Sequence, residues 1–428
     1  MGSSLHELGA LEAAKRISAG KITSEDLVRA CLDQIKETDP EIHAWEHLDG
    51  PTAVAQAKSC DDGPNRGLLH GVPVGVKDLI DTNDMPTRYG SSIYEGHRPL
   101  RDADCVASLR EAGAVILGKT VTTEFATFTP PVTRNPHNID RTPGGSSSGS
   151  AAAVADQMVP LALGTQTAGS IIRPAAFCGV YGFKPTFDFV SIKGVKPISE
   201  RLDTVGMFAR NVEDIALLAG CLKYPRSTVF NLQPKLPRIG LFRGPYWDQI
   251  ECSSRVAIEK AWGQLATSSS KIIGPKATVD FRQLTEAQHI LMCADLAKSL
   301  RFEFDEHFSS LSIGLRQLIE SGLMLDVATV RLVNEYSISA RVSVETLFED
   351  CEIIVTPSAL GEAPGIETTG DPLLNKAWTL LHLPCLNVPI DFGVDGLPIS
   401  IQLVGRPHED EVLINSAAAI SETLSKQD

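Results

Sequence analysis

The stretch Arg141–Ala155, RTPGGSSSGSAAAVA, places four serines among glycines just before a run of alanines. Hydroxyls held in a glycine-bounded loop suit acyl transfer, in which a serine attacks a carbonyl carbon once a neighbouring base takes its proton. Gly145-Ser-Ser-Ser-Gly149 fits the G-x-S-x-G pattern of a nucleophile elbow, with Ser147 as the nucleophile. An elbow needs a strand immediately before the serine, yet the approach TRNPHNIDRTPGG carries two prolines and several turn formers. A flexible Gly/Ser linker is the other reading, but the alanine run that follows is apolar and helix-prone. A structured glycine-rich loop remains.

Three further segments narrow the chemistry: GVPVGVKD at 71–78, GTQTAGSIIRPAAFCGVYGFKPT at 164–186 and GLPISIQLVG at 396–405. With PGGSSSGSAAAVA at 143–155 they resemble, in order and over most of the chain, the amidase signature family of Ser-Ser-Lys hydrolases. The resemblance implies that Ser170 is the acyl-forming nucleophile, Ser146 the bridging serine after a cis Gly145–Ser146 peptide, and Lys77 the base. It further implies that backbone N–H groups of Thr167, Ala168, Gly169 and Ser170 hold the oxyanion. Ser147 is then a decoy, and Ser147, Ser148 and Ser150 are expected to brace the loop or cap a helix. Ala168 departs from the glycine more usual in the family, which bears on substrate width.

A lysine serves as base only when neutral, and burial lowers its pKa by disfavouring the ammonium form. Lys77 follows Val72, Val74 and Val76 in an apolar run, consistent with an interior position, while the adjacent Asp78 would oppose the shift if it faced the amine. Arg173 and Gln166, the latter replacing a frequent aspartate, make the chain look most like malonamidase and related small amidases. In that branch the matching arginine engages a substrate carboxylate; the alternative is that Arg173 pairs internally and supports the loop. Phe125, Phe128, Thr129, Pro130 and Pro131 are candidate pocket residues, and their apolar character admits an uncharged aryl amide, ester or carbamate.

These residues need a rigid scaffold. LHELGALEAAKRI and TSEDLVRACLDQIKETDP within residues 1–48 read as helices, with Thr23 as N-cap, Leu27, Cys31 and Ile35 at helical spacing, and Pro40 as the stop. Short β-branched runs at 71–80 and 114–120 flank the helical DADCVASLREAG, and alternating strand and helix signals imply an α/β fold. AAAVADQM reads as a helix, VPLALGTQ as a strand, GMFARNVEDIALLAG as a helix with Asn211 or Asp214 near its start, and RIGLF and EIIVTPS as buried strands. Residues 251–350 read mostly helical, and the C-terminal part as two strands joined by a Gly-Val-Asp-Gly turn and then a helix. The expectation is one domain over 1–428 with a central mixed β-sheet covered by helices on both faces. Within it lie N-terminal helices at 1–48, a catalytic core at 60–220, a helical cap at 251–350 and closing strands and helix at 351–428.

Composition sets the outer bounds. Hydrophobic residues at 43% and charged residues at 21% fit a folded globular chain. A net charge of −14 without a basic stripe argues against nucleic acid as a ligand. Nine cysteines without a Cys-x-x-Cys pair read as buried reduced thiols, and with no signal-peptide core or membrane-length run the expected location is the cytoplasm. No His-Glu-x-x-His or Cys/His spacing calls for a metal, and no cofactor is expected. Three function classes stay open. The first is a free-standing hydrolase of small amides, carbamates or aryl esters, with homodimerisation compatible; the second is the amidase subunit of a transamidation complex; the third is an inactive interaction protein. The short chain and the variant Thr165-Gln-Thr-Ala-Gly-Ser170 argue against the second, and the retention of Lys77, Ser146 and Ser170 against the third.

Overall fold

Alternating faces of buried β-branched and aliphatic residues organise the chain around one sheet. The computed structural model describes residues 4–223, 230, 232–268, 272–273 and 279–425. Its strands are β1 (Trp45–Leu48), β2 (Pro73–Lys77), β3 (Val115–Thr120), β4 (Leu161–Gln166), β5 (Tyr181–Lys184), β6 (Thr204–Ala209), β7 (Ile239–Leu241), β8 (Ile272–Ile273), β9 (Ile353–Pro357), β10 (Cys385–Phe392) and β11 (Pro398–Val404). They form one sheet in the order β1-β3-β2-β4-β6-β5-β10-β11-β9-β7-β8. β2 runs parallel to both β3 and β4, and β7 parallel to β8 and β9, whereas β4–β6, β5–β6 and β10–β11 are antiparallel.

Side chains of successive strand residues enter different cores, as the period of two requires. Val74, Val76, Leu161 and Leu163 join residues of the helices Asp104–Glu111, Val212–Leu222 and Asp410–Ser425 in one apolar cluster. Val115, Leu117 and Ala162 join those of Ser24–Ile42, Gly50–Asp61 and Ser148–Ala155 in another. The fold is therefore a single α/β domain with a mixed sheet flanked by helices. A third cluster packs Ala168 and Ile172 against the helices Phe281–Ser299 and Leu373–Leu380, which sets the cap region over the end of β4.

Most expected elements are present. Thr23 Oγ1 accepts from Asp26 N at 3.0 Å, and Leu27, Cys31 and Ile35 are buried. The Gly-Val-Asp-Gly turn joins β10 to β11. Three expectations fail. The N-terminal helices expected over 1–48 stop at Ile42, and Trp45–Leu48 forms β1. Pro40 does not end its helix, which continues to Ile42. Only one N–H is lost in the last turn, and His43 N→Asp39 O (2.8 Å) and Ala44 N→Asp39 Oδ1 (2.6 Å) close the end instead. The GMFA half of GMFARNVEDIALLAG belongs to β6; the helix begins at Val212, capped by Asn211 accepting from Asp214 N at 2.7 Å. Parts of the expected units, residues 1–3, 269–271, 274–278 and 426–428, lie outside the described residues. None of the nine cysteines forms a disulfide, and only Cys252 is exposed.

Candidate active site

Ligands in α/β sheets bind at the carboxyl ends of parallel strands, and the signature segments at 71–78 and 164–186 meet there. Lys77 ends β2, Thr120 ends β3 and Gln166 ends β4. Lys77 is fully buried, and its Nζ donates to Ser146 Oγ and Thr165 Oγ1, both at 2.8 Å. Neither partner is charged. Burial therefore holds the Lys77 pKa well below the ordinary lysine value, with the charge of Asp203 opposing. Asp78 points the other way, as its neighbouring strand position demands, and its Oδ1 lies 3.1 Å from the Nζ of the buried Lys119.

The serine loop arches over this amine. The Gly145–Ser146 peptide is cis, and Gly144 takes φ +83°, where a Cβ would also stand 2.8 Å from Pro174 Cα. Of the four serines only Ser146 meets Lys77. Ser147 Oγ donates to Thr165 O (3.2 Å), Ser148 Oγ to Gly144 O (2.7 Å) and Ser150 Oγ to Leu163 O (2.8 Å). Those three hydroxyls tie the loop and its helix to neighbouring backbone.

Ser170 sits in the turn between β4 and the helix Ile172–Phe177, and its Oγ bonds to none of the described residues. It opens on a narrow, mainly apolar pocket walled by Phe128, Ala168, Ile198, Met292, Leu296 and Leu318. Among the described residues, the N–H groups of Ala168, Gly169 and Ser170 have no protein acceptor, which leaves three donors in the turn that carries the hydroxyl. At Thr167 the hydroxyl donates to Asp203 Oδ1 (2.6 Å) and the carbonyl accepts from Gln288 Nε2 (3.0 Å).

Gln166 and Thr129 do not face this pocket. Gln166 is fully buried; its Oε1 accepts from Ile171 N (2.8 Å) and Ile172 N (3.1 Å), and its Nε2 donates to Thr379 Oγ1 (2.9 Å). It braces the Ser170 turn from behind. We expect Gln166→Ala to cost on the order of 1–3 kcal/mol for each N–H left unpaired, read as a lower midpoint in denaturant unfolding. Thr129 Oγ1 pairs with Ser312 Oγ at 2.8 Å and, with Pro130 and Pro131, lines a separate cleft beside Glu46 and Arg88. Phe125 turns into the core against Tyr94, leaving Phe128 as the pocket aromatic.

Arg173 is 1% exposed, and its Nη2 donates to Gly145 O at 2.7 Å, while Nε and Nη1 are buried without a partner. Burial pushes its pKa down to about 10, with Asp371 opposing, so it stays cationic at neutral pH. Thr165, Asp203, Gln288 and Thr379 escaped sequence reasoning. Thr165 lies within a recognised motif, one residue before Gln166, whereas Asp203 follows an unremarkable SERL and carries no spacing signal.

A protein-family model described as Amidase matches residues 26–414. A glutamyl-tRNA(Gln) amidotransferase subunit from Natranaerobius thermophilus is 32% identical over 484 aligned positions, covering 98% of this chain and 96% of that protein. Its counterpart from Anaeromyxobacter dehalogenans is 34% identical, with 98% and 97% covered. Among solved structures, the peptide amidase of Stenotrophomonas maltophilia superposes with a TM-score of 0.83 at 28% identity, covering 98% of this chain and 97% of that one. An inhibitor-bound chain from a vestigial protein complex, described as revealing the origins of an s-triazine catabolic enzyme, gives 0.89 at 27%, covering 97% and 98%. Among the described residues, no helix is long and apolar enough to cross a membrane, and no three His, Cys, Asp or Glu side chains gather as for a metal ion.

Proposed function

Because this chain belongs to the amidase family of hydrolases acting on C–N bonds, we propose that it cleaves small amides through Lys77, Ser146 and Ser170 by way of an acyl-enzyme. The observation that carries this reading is the buried Lys77 amine, hydrogen-bonded among the described residues only to the hydroxyls of Ser146 and Thr165. Ser170 Oγ attacks the carbonyl carbon as its proton passes to Ser146 and the Ser146 proton passes to Lys77. In this mechanism the two serines come within hydrogen-bond reach when substrate fills the site. The developing oxyanion meets the free N–H groups of Ala168, Gly169 and Ser170; one such donor is typically worth about 2.7–4 kcal/mol. Collapse breaks the C–N bond, and the departing amine receives the proton back through Ser146. Water then repeats the sequence on the acyl-Ser170 ester, releasing the acid.

The apolar wall of Phe128, Met292, Leu296 and Leu318 favours substrates with an uncharged apolar group beside the scissile bond. Carbamates, anilides and aryl esters share that requirement. A malonamidase-like preference for a substrate carboxylate would instead draw on Arg173. We expect its main role to be holding the Gly145 carbonyl, so Arg173→Ala should slow acidic and neutral substrates alike and lower Tm. Loss of such a charge-assisted contact costs about 1.5–3 kcal/mol. A selective loss on acidic amides, with Tm unchanged, would assign the guanidinium to substrate.

A second reading, the amidase subunit of a transamidation complex, is favoured by identity to amidotransferase subunits along nearly the whole chain. Against it, the alignment to the first of these spans 484 positions, more than the 428 residues of this chain, so that relative has segments this chain lacks. Turnover of a panel of amides, anilides and carbamates, with an intact-mass search for acyl-Ser170, tests the first reading. Native mass showing a single chain or homodimer, without glutamine hydrolysis, would remove the second.

A further inference from the structure

Protonation of Lys77 creates a cation in a fully buried setting, and the amine's two hydrogen-bond partners are neutral hydroxyls. A buried charge of that kind is costly unless a counter-charge stands nearby. The other charged groups around the site are engaged elsewhere: Asp78 with Lys119, Arg201 with Asp295 (2.6 Å), Lys196 with Glu303, and Arg173 with the Gly145 carbonyl.

Asp203 has only neutral hydrogen-bond partners and no ion pair among the described residues. It stands directly before β6, whose antiparallel register sets Gln166 opposite Thr204 and Thr165 opposite Val205. Thr165 and Thr167 are two residues apart; the first hydroxyl meets Lys77 Nζ and the second meets Asp203 Oδ1. Asp203 Oδ2 accepts from Ile198 N (2.8 Å) and Ser199 N (3.0 Å), so three donors fix a carboxylate that is only 6% exposed. Thr167 and Ile198, two of its anchors, also line the pocket onto which Ser170 opens.

We propose that Asp203 is a positioning residue of this site, which locks the Thr167 end of the Ser170 turn and provides the buried counter-charge to Lys77 when that amine takes up the relayed proton. Asp203 itself takes no proton from substrate. This inference rests on Lys77 being the base. The electrostatics agree in both directions: Asp203 supports the charged form of Lys77, and Lys77 counters the burial that pushes Asp203 up to about 6.

The test is the pH profile of kcat/KM for wild type and Asp203→Asn. Losing the negative charge disfavours the ammonium, so the acidic limb set by Lys77 should move to lower pH by about 1 unit or more, with a lower plateau from the weaker base. A merely structural role would lower Tm or the plateau and leave the limb in place, which overturns the counter-charge. In Asp203→Asn the new amide faces the Ile198 and Ser199 donors, and the variant can fail to fold. The reciprocal measurement then applies: Asp203 titrated by carbon-13 NMR in wild type and in Lys77→Met. The coupling predicts a higher Asp203 pKa without the lysine, and equal values overturn it. If Lys77→Met keeps wild-type turnover, the base assignment fails, a result distinct from either outcome for Asp203.

Discussion

Ser170→Ala is expected to abolish both turnover and covalent labelling by a serine-directed phosphonate, while Ser147→Ala retains substantial activity. The difference follows from where the two hydroxyls point. Ser170 Oγ is unpaired among the described residues and opens on a pocket beside three free N–H groups. Ser147 Oγ bonds the Thr165 backbone, accepting from its N–H and donating to its carbonyl. Losing a nucleophile removes the covalent route entirely, leaving only what the oxyanion donors and binding contribute. A phosphonate adduct mapped to Ser147 by peptide mass analysis would reverse the assignment and restore the nucleophile elbow.

Lys77→Met should reduce the rate by roughly 10²–10⁴-fold or more through loss of general-base assistance, with the fold retained. In wild type the rate should climb with pH as Lys77 sheds its proton, and because burial depresses its pKa that limb falls below the ordinary lysine range. Stability carries the same signature. Between the depressed folded value and the ordinary unfolded one, the unfolded chain binds the extra proton, so wild type gains stability as pH rises. The unfolding free energy of wild type relative to Lys77→Met should therefore increase with pH across that window. A flat difference would mean that Lys77 keeps its proton in the folded protein.

The groups proposed to react stand out in the sequence because such chemistry needs uncommon local patterns: a lysine ending a valine-rich strand, and serines set among glycines. The architecture behind them was legible where strands were β-branched and separated by clear helices, as from β2 to β4. β5 and β6 were not. YGFK and TVGMFA are short apolar runs that periodicity cannot distinguish from helix, and GMFA continues straight into a true helix. Gly206 gives the physical reason for its own place in β6: a side chain there would stand 2.3 Å from both Ile171 Cδ1 and Phe183 O. Such a contact exists only in three dimensions. Gln166 was singled out for the right segment but the wrong direction, since a strand residue's type does not reveal whether it faces substrate or the supporting backbone. Asp203 is invisible for a related reason: its partners come from the turn after β4 and from the segment that precedes it.

The order of strands in the sheet also bears on how the chain avoids its own kind while folding. An exposed sheet edge is a row of unpaired N–H and C=O groups, ready to template pairing with another molecule. Here the outermost strand on one side is β1, of four residues with a register shift between Trp45 and His47. The long, apolar strands β10 and β11 lie well inside the sheet. An edge this brief and bulged offers little ladder for a neighbouring copy to extend, which protects that side of the sheet against edge-to-edge aggregation.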